Sequence, residues 1–348
     1  MSAAMPAGAS TALVQVHDLA KTFDVSAPWL NRLIERQPRQ FVHAVDGVSF
    51  SIERGKTLAL VGESGCGKST VARLLVGLYA PTAGRVEFDG VDTAATFRSA
   101  DALALRRRMQ MIFQDPYASL NPRWKVADIV GEPLKEHGLV QHASGTGAKA
   151  DEAEMKARVA QLLQSVGLAA ADVEKFPHQF SGGQRQRISI ARALATQPEF
   201  LVCDEPTSAL DVSVQAQVLN IMKDLQRQRG LTYLFISHNL AVVRHVSDQV
   251  GVMYLGRVVE LADKAELFAR PRHPYTRMLL DAIPDIHMSG RARTPVQGEV
   301  PNPLNPPSGC SFHPRCPHAN ERCKQERPAL KTVGGGTIAC HAVEEGRI

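Results

Sequence analysis

Long hydrophobic runs are missing from this sequence. None of its 348 residues lies in an apolar stretch that approaches the roughly 18–20 residues needed for a membrane-spanning helix. The apolar segments 58–61 and 200–203 have the length of buried strands instead. Residues 1–12 contain no Lys or Arg ahead of an apolar core, so we expect no secretory signal. These absences predict a cytosolic protein that is still able to dock on a membrane protein.

A strong excess of one charge is missing too. The chain has 40 Lys and Arg against 35 Asp and Glu, a net charge of +5. Such a mild balance does not call for a nucleic-acid partner. The composition, 44% hydrophobic and 22% charged, is ordinary for a globular protein and excludes collagen-like, coiled-coil and fully disordered chains. The length predicts about two domains.

Cysteines are few and unevenly placed. Cys66 and Cys203 stand alone, whereas four cysteines crowd the C-terminal end: Cys310, Cys316, Cys323 and Cys340. In a cytosolic chain such a cluster favours a metal site over disulfides. The spacing C-x5-C-x6-C-x16-C lacks the C-x2-C pairs usual in zinc modules.

Buried strands alternate with helices over most of the chain, which predicts an α/β fold with a parallel sheet. The predicted core strands are nearly continuous in apolar residues: 57–61, 200–203 and 231–236. The predicted helices are 69–78, 181–195 and 212–229, the last closed by Gly230. Residues 26–43 are predicted to be a polar insertion, and 82–113 to be strands and turns.

The composition divides the chain further. A helical subdomain is expected at about 115–185, inside the α/β core. Near residue 268 the sequence becomes rich in proline and cysteine. We therefore predict a first domain over 1–268 and a small C-terminal extension over 269–348.

A glycine-rich loop follows the strand 57–61 and precedes a helix. It fits G-x-x-x-x-G-K-[ST], with the residues Gly62, Glu63, Ser64, Gly65, Cys66, Gly67, Lys68, Ser69 and, next, Thr70. Such a loop turns several backbone N–H groups toward one anion, and the helix N-terminus adds partial positive charge. Lys68 is then placed for the β- and γ-phosphates and Ser69 for Mg²⁺. A plain glycine-rich turn is the alternative, but the strand and helix on either side favour phosphate binding; Cys66 is interpreted as a small filler.

The strand 200–203 ends in two carboxylates. Asp204 suits the Mg²⁺ hydration shell, and Glu205 suits polarisation of the attacking water. Alone, this pattern would be a strand ending in solvated acids. The phosphate loop upstream makes the catalytic interpretation stronger.

Four further motifs occur in the order found in ABC-type ATPases, which the chain closely resembles. Ser181, Gly182, Gly183 and Gln184 match the signature motif of that family, although Phe180 stands where leucine is commoner. The others are Gln114 (Q-loop), residues 208–211 (D-loop) and His238 (switch histidine). The resemblance implies a P-loop NTPase fold of the ABC type, with an inserted helical subdomain and the Pro/Cys-rich extension.

This resemblance implies a mechanism as well. Two ATPase domains pair head to tail, with ATP between the phosphate loop of one chain and the signature motif of the other. Lys68, Gln114, Glu205 and His238 would be catalytic, and Ser69, Gln114 and Asp204 would hold Mg²⁺. Phe23 matches an aromatic position that stacks on adenine, and a core role is an equal alternative.

Other segments resemble dipeptide and oligopeptide importers, and look more like their second (F-type) ATPase subunit than the first (D-type). They are residues 114–122, 272–276, 298–301, 305–310 and 312–317. The resemblance implies two membrane permeases, a D-type ATPase and an external substrate-binding protein as partners, no nucleic acid, and a peripheral place on the cytoplasmic face of the inner membrane. Uptake of nickel, glutathione or another small solute stays open, as does a soluble ABC ATPase of a nucleic-acid or redox pathway.

Some members of this importer family carry a [4Fe–4S] cluster on a similar tail. The resemblance therefore implies such a cluster at Cys310, Cys316, Cys323 and Cys340. Zinc, or no metal with stress disulfides, is the alternative. In either metal form we expect the role to be structural.

Overall fold

The computed structural model describes residues 12–36, 38–140, 148–282 and 298–348. The strands are β1 (Ala12–Asp24), β2 (Phe41–Glu53), β3 (Thr57–Val61), β4 (Ala83–Phe88), β5 (Val91–Asp92), β6 (Met109–Ile112), β7 (Phe200–Asp204), β8 (Thr232–Ile236), β9 (Gln249–Tyr254), β10 (Arg257–Asp263), β11 (Lys331–Val333) and β12 (Gly336–Ile338). The helices are α1 (Trp29–Glu35), α2 (Lys68–Leu75), α3 (Thr93–Thr96), α4 (Ala102–Arg108), α5 (Pro116–Ser119), α6 (Val126–Glu136), α7 (Ala148–Ser165), α8 (Gly182–Leu194), α9 (Val212–Arg229), α10 (Leu240–Val246), α11 (Lys264–Ala269), α12 (Pro274–Asp281), α13 (Glu321–Gln325) and α14 (His341–Glu344). Short 3₁₀ turns occupy Ala170–Glu174, Pro177–Gln179 and His313–Arg315.

A mixed sheet forms the centre of the described structure, with the strand order β11-β12-β10-β9-β3-β8-β7-β6. The strands from β9 to β6 pair in parallel. Every residue of β3, β7 and β8 is buried, as expected of parallel strands covered on both faces. The α/β expectation is therefore confirmed, and the carboxyl ends of β3, β7 and β8 meet at one edge, where ligands bind in such sheets. A smaller antiparallel sheet, β2-β1-β4-β5, lies beside it.

Helices fill the chain between β6 and β7. Apolar side chains of α6, α7 and α8 pack into one core, represented by Val130, Val159 and Ile188. The same core continues into β7 and β8 through Leu201 and Phe235. The helical segment is thus fixed to the parallel sheet by α8, which extends beyond residue 185.

The C-terminal segment adds strands to the central sheet. β12 pairs antiparallel with β10, with Glu260 opposite Ile338, and β11 pairs with β12. The rings of Tyr275 and Phe312 pack against Tyr254 of β9, with centroids 4.7 and 5.3 Å from its ring. The domain limits 1–268 and 269–348 stay predictions, because the two parts share a sheet and an aromatic core.

No helix in the described ranges is both long and apolar enough to cross a membrane. Two expectations fall wholly or partly outside those ranges. Residues 1–11, on which the absence of a secretory signal was argued, lie outside them, and so do residues 283–297 of the predicted extension.

Candidate nucleotide site

A cavity of about 830 Å³ opens at the carboxyl edge of the central sheet. Its lining brings together residues from the phosphate loop and from three other motifs: Ser64, Gly65, Gly67, Lys68, Ser69, Thr70, Gln114, Glu205 and His238. The elements responsible are the loop between β3 and α2, and the segments that follow β6, β7 and β8. Motifs separated by more than a hundred residues in sequence therefore converge on one space.

Close backbone contacts shape the phosphate loop. Gly67 has φ of 105°, and a Cβ atom there would lie 2.2 Å from the carbonyl oxygen of Ala44. The loop therefore needs glycine at this position, where it passes directly over β2.

Lys68 is buried and folded over the phosphate loop. Its Nζ donates hydrogen bonds to the carbonyl oxygens of Gly62 and Glu63, at 2.8 and 2.9 Å, and lies 3.6 Å from Cys66 Sγ. Burial raises the pKa of the Cys66 thiol. The thiol is thus protonated near neutral pH, whereas the lysine ammonium is held at the loop where phosphate oxygens would bind.

Two oxygen donors suited to Mg²⁺ are adjacent. Ser69 Oγ donates a 2.9 Å hydrogen bond to Asp204 Oδ1. Burial raises the pKa of the Asp204 carboxyl, and the bond from Ser69 opposes that shift. A hydroxyl and a carboxylate, with the Gln114 side chain in the same cavity, form the hard oxygen set that Mg²⁺ prefers.

Glu205 is held from two sides. Gln114 Nε2 donates to its Oε2 at 3.1 Å, and His238 Nδ1 lies 3.1 Å from its Oε1. Its backbone adopts φ of 47°, which is uncommon for a non-glycine residue, and its N–H donates to Ile236 O. The side chain is 15% exposed. The carboxylate is thus oriented, yet open to the cavity.

The signature residues lie elsewhere. Ser181 caps α8, its Oγ accepting from Gln184 N–H while its own N–H donates to Gln184 Oε1. Both residues are exposed, whereas Gly183 is buried against Val214 of α9. None of the four signature residues is among the described residues that line the nucleotide cavity. One chain alone does not bring the signature motif to its own phosphate loop.

Phe23 packs away from the cavity lining. Its ring meets Tyr79 edge-on at 5.5 Å, and Lys21 Nζ lies 5.2 Å from its centroid. Within the described part of the chain, β2 lines the cavity instead, through Val42, His43 and Ala44. Stacking of Phe23 on adenine stays a prediction.

Sequence reasoning missed a second group of lining residues. The turn between β9 and β10 contributes Leu255, Gly256 and Arg257, and the C-terminal segment contributes Pro303, Pro306, Ser311 and Arg327. Arg257 and Arg327 both pair with Asp46 of β2, at 2.6 and 3.4 Å. Pro306 lies in the importer-like segment 305–310, but no motif marks the other residues as part of the site, because the fold brings the C-terminal segment to the cavity.

The four C-terminal cysteines are free thiols that influence one another. Burial raises the pKa of Cys310 to about 11, and the other three thiols add to that shift. Cys310 N–H also donates to the Cys323 carbonyl at 2.8 Å. Among the described residues, however, no group of three or more His, Cys, Asp or Glu side chains could hold a metal ion. The structure therefore gives no support to the expected iron–sulfur or zinc site.

Comparison with known proteins agrees with this geometry. The family model described as "ABC transporter" matches residues 45–208, and the model of the "Oligopeptide/dipeptide transporter, C-terminal region" matches 259–323. The ATP-binding cassette MJ0796, solved as a dimer bound to ADP and Pi, superposes with a TM-score of 0.59 at 26% identity, covering 72% of this chain and 98% of that one.

Curated relatives match over nearly the whole chain. The di/tripeptide transport ATP-binding protein DppF of Pseudomonas aeruginosa is 52% identical over 87% of this chain and 91% of its own length. The oligopeptide transport ATP-binding protein AppF of Bacillus subtilis is 46% identical over 97% and 99%. The dipeptide transport ATP-binding protein DppF of Escherichia coli is 47% identical over 96% and 95%. The chain therefore belongs to the ABC ATPases, in the family of dipeptide and oligopeptide transport ATP-binding proteins.

Proposed function

We propose that this chain hydrolyses ATP in the cavity at the carboxyl edge of its central sheet to drive uptake of dipeptides or oligopeptides across the cytoplasmic membrane. The observation that carries the proposal is the convergence of the phosphate loop with Glu205, which Gln114 and His238 orient at 3.1 Å. The names of the relatives support a peptide as the transported solute, and they support the F-type over the D-type assignment. Nickel, glutathione or another small solute is the alternative cargo.

Each cavity residue has a role in this reaction. Glu205 accepts a proton from the attacking water, with His238 and Gln114 fixing the direction of its carboxylate. Lys68 exchanges its loop carbonyls for β- and γ-phosphate oxygens. Ser69, Asp204 and Gln114 would hold Mg²⁺, which neutralises charge on the phosphates when bound.

The exposed signature motif supports a head-to-tail pair. Ser181 and the N-terminus of α8 face outward, where their N–H groups and helix dipole suit the γ-phosphate of a partner's ATP. In the proposed assembly the partner is a D-type ATPase subunit, and the pair sits beneath two permeases at the cytoplasmic face of the inner membrane. An external substrate-binding protein delivers the solute.

A groove beside the Q-loop suits the permease contact. It has a volume of about 360 Å³ and lies between β6 and the helices α6 and α8. Phe113, Tyr117 and Trp124 are exposed in this region. A proline-bounded turn at 116–122 is stiff enough to transmit movement from a cytoplasmic permease helix to Gln114.

A [4Fe–4S] cluster at Cys310, Cys316, Cys323 and Cys340 is a separate proposal, with zinc as the alternative. Its support is the presence of four cysteines in the C-terminal segment and the resemblance of that segment to the cluster-bearing tails of some importers. Anaerobic purification with iron analysis and a visible spectrum tests it. A preparation without iron and without broad visible absorbance would exclude the cluster.

Affinity purification tests the transporter assembly. The Glu205→Gln chain would be recovered from its native membranes in mild detergent with ATP, and the co-purifying proteins identified by mass spectrometry. We expect two multi-span permeases and a second ATPase. Recovery of soluble partners alone would favour a soluble ABC ATPase of a nucleic-acid or redox pathway.

A further inference from the structure

Glu63, the second residue of the phosphate loop, forms hydrogen bonds through its carboxylate, its backbone N–H and its backbone carbonyl. Its carboxylate accepts two hydrogen bonds from Arg315, Nη1 to Oε2 at 2.7 Å and Nη2 to Oε1 at 3.0 Å. Its N–H donates to Tyr275 Oη at 2.9 Å. Its carbonyl accepts from Lys68 Nζ at 2.9 Å. The same carbonyl also accepts from Cys66 N–H at 3.3 Å. Two of the four partners of Glu63, Arg315 and Tyr275, therefore come from the C-terminal segment, and the other two belong to the phosphate loop and include the lysine.

Arg315 is itself fixed in place. It lies in the turn His313–Arg315, one residue before Cys316, and its side chain is 2% exposed. The guanidinium lies 5.8 Å from the ring centroid of Tyr254 and 5.9 Å from that of Phe312. A buried planar cation packed against two rings has little freedom to turn, so its two donors meet Glu63 in one geometry.

We propose that Arg315 is a positioning residue of the ATP site. Through its paired bonds to Glu63 it holds the start of the phosphate loop, and with it the carbonyl that keeps Lys68 at the loop before ATP binds. The affinity of this chain for ATP thereby depends on the C-terminal segment that carries the four cysteines. The inference rests on the proposed function, in which the phosphate loop is the ATP site.

The reason is preorganisation. A glycine-rich loop loses conformational entropy when it closes on phosphate, and contacts that fix it beforehand remove that cost from binding. The Glu63–Arg315 pair should stabilise bound ATP and the transition state equally. Its loss should therefore raise the KM for ATP and leave kcat nearly unchanged. A residue needed only for folding of the tail would not give this split.

A double-mutant cycle on the full chain tests the inference. The variants are Glu63→Gln, Arg315→Met and the combination, and binding of a fluorescent ATP analogue with Mg²⁺ gives Kd. We expect each single variant to bind about tenfold more weakly, and the combination no more weakly than the worse single variant. Arg315→Lys should fall between, because lysine keeps the charge without the two-pronged geometry.

Arg322→Met is the matched control. Arg322 belongs to the same tail and pairs with Glu326, Glu344 and Glu345, none of which lies in the phosphate loop. Its removal should leave Kd unchanged. Glu63→Gln alters only the loop side of the pair, so a folding defect confined to Arg315→Met, seen by circular dichroism, leaves the test intact.

Lys68→Ala separates the inference from the proposed function. If Lys68→Ala abolishes binding while Glu63→Gln and Arg315→Met keep Kd within about twofold, Arg315 has no positioning role and the ATP site stands. Strictly additive losses in the combination would also overturn the inference, since the two groups would then act independently. If Lys68→Ala binds ATP normally, the assigned site itself is wrong.

Discussion

The phosphate loop and the signature motif are built in opposite ways, although both are expected to contact one nucleotide. Around the loop, Lys68 is buried and Glu205 is oriented by two neighbours. At the signature, Ser181 and Gln184 are exposed and bonded mainly to each other. The difference teaches that the phosphate-loop half of the proposed site is assembled within the chain. The signature half is presented outward, as the proposed pairing with a second ATPase requires.

Among these variants, Glu205→Gln should cause the largest loss of ATP hydrolysis, and it acts on the phosphate-loop half of the site. The amide cannot accept the proton of the attacking water, so phosphate release should fall by at least about a hundredfold while ATP still binds. Stopped hydrolysis should also trap an ATP-bound dimer, visible by size-exclusion chromatography with ATP. Glu87→Gln, on the small sheet and paired with Arg85, is the control with unchanged turnover. Near-normal turnover of Glu205→Gln would contradict the assignment.

Ser181→Arg should disrupt the exposed signature motif. The bulky cation removes the helix cap and occupies the surface offered to the partner's phosphate, so turnover of the assembled pair should fall about tenfold or more. Nucleotide binding by the isolated chain should stay as it was, because Ser181 does not line its own cavity. Steady-state turnover and Kd are measured side by side. If the isolated Ser181→Arg chain loses nucleotide binding, the signature motif contacts the nucleotide of its own chain and the prediction is wrong.

Gly183→Ala sharpens the contrast within the signature itself. A Cβ at Gly183 would lie 2.2 Å from Val214 Cγ1, whereas one at Gly182 would lie 3.7 Å from Leu210 Cδ2. We expect Gly183→Ala to lower the free energy of unfolding by about 2 kcal/mol and Gly182→Ala to leave it nearly unchanged. Urea denaturation of both variants checks this, and equal stabilities would contradict the packing of α8 on α9.

His273, the buried N-cap residue of α12, gives an effect of similar size that appears only as the pH changes. Burial lowers the pKa of His273 from 6.5 to about 3, while its Nδ1 accepts the N–H of Tyr275. As pH falls, the unfolded chain takes up a proton that the native histidine does not, so stability should fall by about 2 kcal/mol between about pH 7.5 and about pH 5.

His273→Asn removes that titration and keeps a capping acceptor for α12. Its free energy of unfolding should therefore vary less over the same pH range, by about the same 2 kcal/mol. His178→Asn, at an exposed histidine, should keep the wild-type slope. Parallel slopes for the His273 variant and the wild type would show that another group carries the pH dependence.

Local patterns predicted the elements that depend on local chemistry. Helix α9 runs over Val212–Arg229 as expected, and Gly230 closes it with φ of 66°. The expectation of strands and turns alone over 82–113 is wrong, because this segment contains the short helices α3 and α4. The polar insertion over 26–43 likewise contains a helix, α1, that its sequence pattern does not reveal. Helices of four to seven residues show too few turns for an apolar period to stand out.

Long-range contacts explain what sequence reasoning missed at the site. Arg315 meets Glu63 across 252 positions of the chain, and Arg257 meets Asp46 across 211. Each arginine would pass as an ordinary charged surface residue in the sequence. The packing of Phe312 and Tyr275 on Tyr254 brings Arg315 of the C-terminal segment to Glu63. A backbone hydrogen bond from Asp46 N–H to the Gly256 carbonyl holds β2 beside Arg257.

The hairpin of β11 and β12 has a further consequence, for solubility. It covers the edge of β10 at residues 260–262, whose N–H and C=O groups would otherwise be unpaired on that side. The new outer strand, β11, has three residues, begins with a lysine and is a poor template for pairing with another molecule. In a chain truncated before residue 331, the longer strand β10 would become the exposed edge of the sheet. We expect such a chain to aggregate instead of folding into a soluble ATPase domain.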